Sequence, residues 1–250
     1  MIDLHLHIIP GVDDGSQDME TSLQMARMAA DSGVKIIVAT PHSNQVGRFE
    51  NFRSPRMDQA FRIFGTALQA EGIPIRLLRG MEIYCLEDTP RKIIDGLLHG
   101  LNGTNRFLVE FPFDAYPEWI EDRLQDLLDI GVTPLIAHPE RYYCVQDYPG
   151  MVGRFLQMGC LTQVNKGSVE GSLGSRAKRT AEWLLDNDFV TCAASDAHDI
   201  RYRTTSMDAF RDHLEQQYGQ EYARRLLDRN PRRILRGERV LPHGPLRRAY

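Results

Sequence analysis

The sequence predicts an α/β protein whose parallel sheet is closed, or nearly closed, into a barrel. Three observations predict this class. Strand patterns alternate with helical patterns along most of the chain, the strand patterns are apolar, and seven such units follow one another. Apolar strands that alternate with helices form a parallel sheet covered by helices, and a series of this length can close on itself.

The predicted strands are short runs of apolar residues. The first, IDLHLH, alternates aliphatic with polar residues, which is the period of a strand and places His5 and His7 on one face. That pair is either a polar lining or two ligands of one metal ion. The seven predicted strands are residues 2–7, 35–40, 75–83, 106–111, 132–137, 161–165 and 190–195.

Helical periodicity fills the segments between the strands. The first helix has apolar residues near helical spacing and stops at Gly33, since glycine readily takes the left-handed conformation that ends a helix. The same joint recurs at Gly72, Gly131 and Gly159. The predicted helices are residues 18–32, 55–71, 90–99, 117–130, 148–158, 174–187 and, with breaks, 205–228.

Length and composition indicate one domain that spans residues 1–250. The chain is 42% hydrophobic, yet no apolar run is long enough to span a membrane. Strand-like sequence begins at Ile2, without the basic and apolar regions of a secretory signal. The four cysteines are scattered without a C-x-x-C pair, so we expect reduced thiols in a cytoplasmic protein.

Charge is distributed unevenly along the chain. The basic C-terminal segment 224–250 carries nine arginines against two acidic residues, a net charge of +7, which leaves −11 on the first 223 residues. This segment either lies on the acidic body or binds an anionic or membrane-proximal partner. The acidic body argues against a nucleic-acid partner.

Titratable side chains follow nearly every predicted strand, where a parallel α/β fold gathers functional residues. Burying so many imidazoles and carboxylates at one barrel mouth is costly unless cations compensate them. We therefore expect two or three divalent ions with nitrogen and oxygen ligands, which favours manganese, iron or zinc over magnesium. The strand ends carry His5, His7, Asp14, His42, Glu82, Glu110, His138, Arg141, Asn165, Asp196 and His198.

The charge balance of this cluster indicates an anionic substrate. Three divalent ions against four carboxylates and one hydroxide leave a net charge of about +1, to which Arg141 adds. Cations that flank an attacking hydroxide are typical of metal-assisted phosphoester hydrolysis. The residues thus predict a hydrolase that acts on phosphate.

Several motifs resemble one known family. DLHLHIIPGVDDGS, IIVATPH, GMEIY, LVEFP, LIAHPERY, TQVNKGS and SDAHD resemble the polymerase-and-histidinol-phosphatase (PHP) superfamily. More closely, they resemble the manganese-dependent protein-tyrosine phosphatases of bacterial capsule and exopolysaccharide loci. The resemblance covers residues 2 to about 210, with NPRRILRGE (230–238) similar to the family's closing segment. It implies a distorted (β/α)7 TIM-like barrel with three metal ions, manganese or else iron or zinc. The implied substrate and partner is the phosphotyrosine-containing tail of a membrane-associated autokinase that controls polysaccharide export.

Positions that match the family's motifs imply roles for individual residues. Arg141 and Arg203 would hold the phosphate, with Arg201 as a nearby competitor and Asn165 as a further substrate-binding residue. The resemblance assigns three metal sites: His5, His7, Glu82 and Asp196; Glu82 as a bridge with Glu110 and His138; and Asp14, His42 and His198.

Two positions depart from the family pattern. Ser43 stands where relatives often have a second histidine, and Asp199 stands where an asparagine often follows the last histidine. Neither is an implied ligand. The expected mechanism is in-line attack of a metal-bridging hydroxide on phosphorus. A strong general acid is optional, and Asp199 or a metal-bound water would serve if there is one.

Four alternatives remain open at this point. The stretch CLEDTPR has the C-x5-R spacing of cysteine-dependent tyrosine phosphatases from Cys85 to Arg91, although its acidic residues and proline oppose a phosphate cradle. The chain could instead hydrolyse a small phosphomonoester such as histidinol phosphate or a nucleotide, act as a nuclease, or be a non-catalytic PHP scaffold. A homo-oligomer is compatible with the sequence.

Overall fold

Parallel strands arranged in two sheets form the centre of the protein in this computed structural model, which describes residues 1–241. One sheet has the order β1-β2-β4, and the other has the order β3-β5-β6-β7-β8-β9. The strands are β1 (Ile2–Leu6), β2 (Ile36–Ala39), β3 (His42–Ser43), β4 (Arg76–Arg79), β5 (Glu82–Tyr84), β6 (Arg106–Glu110), β7 (Thr133–Ala137), β8 (Leu161–Asn165) and β9 (Cys192–Ala194).

Each of the seven predicted strand regions contains a strand, and one of the regions divides. Region 35–40 contains β2 alone, and the sequence did not predict β3, which follows across Pro41, a residue with no N–H to donate to a neighbouring strand. Region 75–83 divides into β4 and β5 at Gly80, where an added Cβ would lie 2.7 Å from Leu101 Cδ2. At these breaks the chain passes from the first sheet to the second.

The first and last strands approach each other near their carboxyl ends. The His7 N–H donates to the Ala197 carbonyl and the Asp196 N–H donates to the His5 carbonyl, both at 2.9 Å. Within residues 1–241 these bonds do not extend into a continuous ladder between the two sheets. The predicted parallel α/β fold is confirmed, whereas the strand pairing does not form a closed barrel.

Helices connect the strands and cover the sheets. They are α1 (Met19–Asp31), α2 (Pro55–Ala70), α3 (Thr89–Ile94), α4 (Pro117–Asp129), α5 (Tyr143–Asp147), α6 (Val152–Met158), α7 (Lys166–Glu170), α8 (Ser175–Asp186), α9 (Asp208–Tyr218), α10 (Gln220–Arg224) and α11 (Asn230–Ile234). No helix in this described part of the chain is both long and apolar enough to cross a membrane.

The helix predictions differ from the structure mainly at their ends. The third helix is shorter than the predicted 90–99, and the last predicted helix divides at Gly219, whose φ is 88°. The glycine joints are confirmed; Gly159, for example, ends α6 at a φ of 102°. The sequence did not predict the short helices α5, α7 and α11.

Two apolar clusters form the core. The larger lies between the strands and the helices and includes Phe64, Phe111 and Phe155. The smaller combines aliphatic residues of six strands with Ile234 and Leu235 from the end of the chain. The part of the basic C-terminal segment up to residue 241 therefore packs on the body of the protein, while residues 242–250 lie outside the described residues.

Candidate metal centre

The nine predicted ligands meet at the carboxyl ends of the strands. Each of them belongs to at least one group of side chains whose nitrogen and oxygen atoms lie within 4.8 Å of one another. All except Asp14 are buried. The groups are His7, Asp14, His42 and His198; His5, His7 and Asp196; His5, Glu82 and His138; and His42, Glu82 and Glu110.

The two histidines of the first strand point their Nε2 atoms toward one place. These atoms are 3.3 Å apart. On the other side of each ring, His5 Nδ1 lies 2.8 Å from Gln163 Oε1 and His7 Nδ1 lies 2.7 Å from Asp13 Oδ2. Because both partners are oxygen acceptors, each Nδ1 carries the proton, and a neutral ring presents its Nε2 lone pair to a cation.

Glu82 lies at the centre of the cluster. Its Oε1 is 2.9 Å from His138 Nε2 and 3.2 Å from His5 Nε2, and its Oε2 is 2.9 Å from His42 Nδ1 and 3.2 Å from His7 Nε2. Nevertheless the buried Oε2 has no hydrogen-bond partner among the described residues. An orphaned carboxylate oxygen surrounded by imidazole nitrogens fits a site for a divalent cation.

Asp196 links the imidazole cluster to two arginines. Its Oδ1 lies 3.4 Å from His5 Nε2, while its Oδ2 accepts from Arg203 Nη2 at 2.5 Å, from Asn165 Nδ2 at 2.5 Å and from Arg141 Nη1 at 3.4 Å. Burial alone would raise the pKa of Asp196, but His5 and Arg203 hold it well below its ordinary value. This carboxylate is therefore ionised.

Asp14 and two histidines form the outer part of the cluster. Asp14 Oδ1 lies 3.3 Å from His42 Nε2 and 3.6 Å from His198 Nε2. Asp14 Oδ2 accepts from Arg48 Nη2 at 3.2 Å. This part of the cluster faces the solvent, since 38% of the Asp14 side chain is exposed.

The protonation states of the inner residues reflect how closely they are packed. Burial, assisted by the charge of Glu82, raises the pKa of Glu110 to about 8. Burial lowers the pKa of His138 to about 4. Burial would also lower the pKa of His42, yet the charge of Glu82 outweighs it and raises that pKa to about 10. A divalent cation bound here would take the place of the protons that these groups compete for.

Two of the inner residues have unusual backbone conformations. His138 has a φ of 36° and Asp196 has a φ of 50°, both in the left-handed region that non-glycine residues rarely adopt. Each such residue costs on the order of 1–3 kcal/mol and persists where the surroundings hold it. Both follow the carboxyl end of a strand, so the strain directs their side chains into the cluster.

A cavity of about 420 Å³ opens beside the cluster. Arg141, Arg203, Arg48 and Phe113 line it together with seven of the nine clustered residues. The Arg141 guanidinium lies over the Phe113 ring, 4.5 Å from its centroid. The cavity thus joins arginines, an aromatic wall and the predicted ligands.

Two residues predicted to bind substrate lie elsewhere. Arg201 is exposed and does not line this cavity, so Arg203 and not Arg201 is the arginine of that loop that faces the cluster. Asn165 is fully buried and contacts Asp196 instead of the cavity.

The loop that carries Arg203 is organised by Asp199. The Asp199 carboxylate accepts from the backbone N–H groups of Arg201 and Tyr202 at 2.6 Å and of Arg203 at 3.3 Å. Against the opposing effect of burial, these bonds lower the pKa of Asp199. An ionised carboxylate that caps a turn is a poor proton donor, so the structure argues against Asp199 as a general acid.

Lys166 anchors the far end of the same loop. Its Nζ donates to the carbonyls of Thr204 at 2.7 Å and Ser206 at 2.8 Å, and the residue is almost fully buried. Because Arg203 immediately precedes this segment, Lys166 helps to determine where the Arg203 guanidinium lies.

Sequence reasoning missed the residues that support the cluster. Asp13 orients His7, Gln163 orients His5, and Glu140 Oε1 accepts from the Asn165 N–H at 2.9 Å. Asp13 stands next to Asp14 in GVDDG, so the sequence shows a second carboxylate there, but it does not show that this carboxylate contacts His7. Gln163 and Glu140 lie within TQVNKGS and AHPERY, and only the fold reveals their contacts.

The C-x5-R segment does not form a phosphate site. Cys85 is fully buried, and burial raises the pKa of its thiol to about 12. Arg91 is largely exposed and donates to Asp95 on its own helix. A protonated, inaccessible thiol cannot serve as a nucleophile at neutral pH.

Together the fold and the site define an α/β protein with parallel sheets and with clustered imidazoles and carboxylates at the carboxyl ends of its strands. The same fold occurs in the lactonase Lmo2620 from Listeria monocytogenes, which is 13% identical with a TM-score of 0.60, and covers 96% of this chain and 95% of that one. It also occurs in the phosphotriesterase homology protein from Escherichia coli. That protein is 14% identical with a TM-score of 0.59, and the match covers 94% of this chain and 97% of that one.

More specifically, residues 1–236 match the profile of the family described as capsular polysaccharide synthesis, CpsB/CapC, and the chain belongs to this family. It is 33% identical to the tyrosine-protein phosphatase YwqE of Bacillus subtilis over 98% of this chain and 95% of that protein. It is 31% identical to the tyrosine-protein phosphatase CpsB of Streptococcus pneumoniae over 94% of this chain and 98% of that protein. A crystal structure from a study of YwqE and CpsB, described as unique metal-dependent tyrosine phosphatases, superposes with a TM-score of 0.89 at 33% identity, covering 99% of this chain and 100% of that one. The predicted family is thereby confirmed.

Proposed function

We propose that this chain is a metal-dependent protein-tyrosine phosphatase that acts in the cytoplasm on an autokinase controlling capsular or exopolysaccharide synthesis. One observation carries the proposal: a cluster of nine potential ligands adjoins a cavity lined by Arg141 and Arg203. Membership of the CpsB/CapC family and the names of the relatives support the phosphotyrosine substrate.

The cluster would hold three divalent ions, with manganese as the first choice and iron or zinc as the others. Mixed nitrogen and oxygen donors and the orphaned Glu82 Oε2 support this composition. When bound, the ions would supply Lewis acidity for activating water and positive charge against the phosphoryl oxygens. The proposed ligand sets are His5, His7, Glu82 and Asp196; Glu82, Glu110 and His138; and Asp14, His42 and His198.

The chain's own residues would bind and orient the substrate. Arg141 and Arg203, which share Asp196 Oδ2, would extend toward the phosphoryl oxygens and offset their charge. Phe113 would contact the aromatic ring of a phosphotyrosine whose phosphate reaches the arginines. Because a phenol has a pKa of about 10, its anion leaves without a strong general acid.

The proposed architecture is a distorted (β/α)7 barrel with its seam between β1 and β9. The hydrogen bonds that join His5 and His7 to residues 196 and 197 support it. Such a barrel would explain why the ligands converge from both sheets.

The test compares hydrolysis of a phosphotyrosyl peptide with hydrolysis of histidinol phosphate in added manganese, with and without a chelator. We expect manganese-dependent turnover of the peptide at a kcat/KM at least about tenfold above that for histidinol phosphate, and its loss with chelator. His42→Ala should lower kcat/KM by at least about 100-fold, whereas Cys85→Ser should stay within about twofold of the wild type.

Three results would contradict the proposal. Preferred turnover of histidinol phosphate would assign the chain to small phosphomonoesters. Manganese-independent turnover, or a trapped phosphocysteine, would show a different mechanism.

A further inference from the structure

A second large cavity lies beside the outer strand of the smaller sheet. It has a volume of about 410 Å³, and its lining is mostly apolar, including Met57, Phe61, Leu77 and Leu78. None of the proposed metal ligands lines it. This cavity is therefore separate from the one beside the metal centre.

The strand next to this cavity has a free edge. Within residues 1–241, β4 pairs with β2 alone and is the last strand of its sheet, because the chain crosses into the other sheet after Gly80. An edge strand presents unpaired N–H and C=O groups that can pair with another extended chain. Leu77 and Leu78 are only partly buried, and the short segment Leu101–Gly103 lies beside the Gly80 end of the strand.

A smaller cavity of about 330 Å³ continues along the same strand. The two cavities share Phe61, Leu77 and Arg79. Leu77 and Arg79 lie two positions apart on the same face of β4, so the cavities form one groove that suits every second side chain of a peptide laid along the strand. We call the two cavities and the free edge of β4 the β4 groove.

The β4 groove is basic in an otherwise acidic protein. Residues 53–79 carry five arginines against two acidic residues, a net charge of +3, whereas the first 223 residues carry −11. Arg79 pairs with Asp58. Arg53, which lines the larger cavity, and Arg62 and Arg76, which line the smaller one, form no ion pair within the described part of the chain.

We propose that the β4 groove binds an extended acidic segment of a partner protein, which adds to the sheet as a further strand beside β4. Main-chain hydrogen bonds along the edge would hold the segment, aliphatic side chains would enter the cavities, and acidic side chains would pair with Arg53 and Arg76. The free strand edge and the apolar lining favour a polypeptide over a nucleic acid, which offers neither complementary backbone groups nor aliphatic side chains. Phosphate hydrolysis at the metal centre is not part of this interaction.

The test measures binding of a fluorescein-labelled ten-residue peptide of alternating Glu and Val to the full chain by fluorescence anisotropy. The comparison ligands are the Lys-Val counterpart, the Glu-Val peptide N-methylated at alternate residues, and a labelled oligothymidylate of similar charge. The groove variant is Arg53→Glu/Arg76→Glu. Its matched control, Arg154→Glu/Arg176→Glu, makes the same charge change at exposed arginines of α6 and α8.

We expect the Glu-Val peptide to bind, and the groove variant to weaken it at least about tenfold while the control variant changes it less than about twofold. N-methylation should also weaken binding at least about tenfold, and bound peptide should slow amide hydrogen exchange within residues 76–79. Both variants should hydrolyse p-nitrophenyl phosphate like the unmodified chain, which separates this result from the proposed function.

Four results would overturn the proposal. Absence of Glu-Val binding would show that the β4 groove does not bind an acidic peptide, and equal weakening by the two variants would show that binding depends only on the overall charge of the protein. Undiminished binding of the N-methylated peptide, or oligothymidylate binding as tight as that of the Glu-Val peptide, would show a polyanion surface without strand addition.

Discussion

At the scale of single residues, the orientation of His5 and His7 is the most informative feature of the site. Their Nδ1 atoms are occupied by Gln163 and Asp13, and their Nε2 atoms lie 3.3 Å apart beside the carboxylate of Glu82. Against the opposing effect of burial, the neighbouring carboxylates raise the pKa of both imidazoles, which favours protonated rings when no cation is bound. A bound cation would replace those protons at Nε2.

Asp13 gives a direct test of this orientation. Asp13→Ala removes the acceptor of the His7 Nδ1–H, which frees the ring to rotate and lowers its basicity. We expect the manganese concentration for half-maximal activity to rise by about 10- to 100-fold, with kcat largely recovered at saturating metal. Asp31→Ala, at the exposed end of α1, is the control. An unchanged manganese requirement in Asp13→Ala would show that this hydrogen bond does not support a ligand.

Individual site residues differ in how far the sequence could predict them. The imidazoles and carboxylates could be predicted because their side chains are chemically distinctive and follow strand ends. Gln163 and Glu140 could not, because an ordinary amide or acid becomes informative only when its partner is known. Arg203 and Arg201 differ by two positions in one loop, and only the fold shows which of them faces the cluster.

At the scale of elements, the loop after β9 determines the geometry of the phosphate-binding side. It is held at one end by Asp199, whose carboxylate caps its backbone, and at the other by Lys166, whose ammonium binds its carbonyls. Between these anchors, Arg203 reaches Asp196. The buried Lys166 and the partly exposed Asp199 thus hold the loop at its two ends by polar contacts.

Lys166→Met tests the anchoring of this loop. The substitution leaves the carbonyls of Thr204 and Ser206 without their donor and releases Arg203. We expect kcat/KM to fall about tenfold and the inhibition constant of inorganic phosphate to rise by a similar factor. Lys178→Met, in an exposed position on α8, should leave both unchanged.

A double variant separates positioning from general destabilisation. If Lys166 acts through Arg203, adding Lys166→Met to Arg203→Ala should lower kcat/KM by less than about twofold more. Fully multiplicative losses would show that Lys166 does not act through Arg203.

Sequence periodicity predicted the existence of most elements better than their limits. Helical and strand periods are local, so each of the seven strand regions was found. The break between β2 and β3 depends on Pro41, and the division of region 75–83 depends on Gly80 and the packing of Leu101 and Val38 around that glycine. Such contacts join distant parts of the chain, and the periodicity of a short segment carries no information about them.

At the scale of the whole molecule, the site and the fold depend on each other. Both sheets deliver ligands to one mouth, and burial of their charges disfavours the folded state when no cation is present. Bound metal stabilises the folded protein by mass action, by about 2.7 kcal/mol for one site when free metal is 100 times its Kd. Metal removal should therefore lower both activity and thermal stability.

The most direct measurement is a manganese titration of the chelator-treated full chain in which bound metal, phosphotyrosyl-peptide turnover and Tm are followed on the same samples. We expect turnover to be lost on chelation and to return as bound manganese approaches three ions per chain, with Tm rising in parallel. His42→Ala should bind fewer ions and remain inactive. Full turnover in protein from which all metal has been removed would contradict metal-dependent hydrolysis at this site.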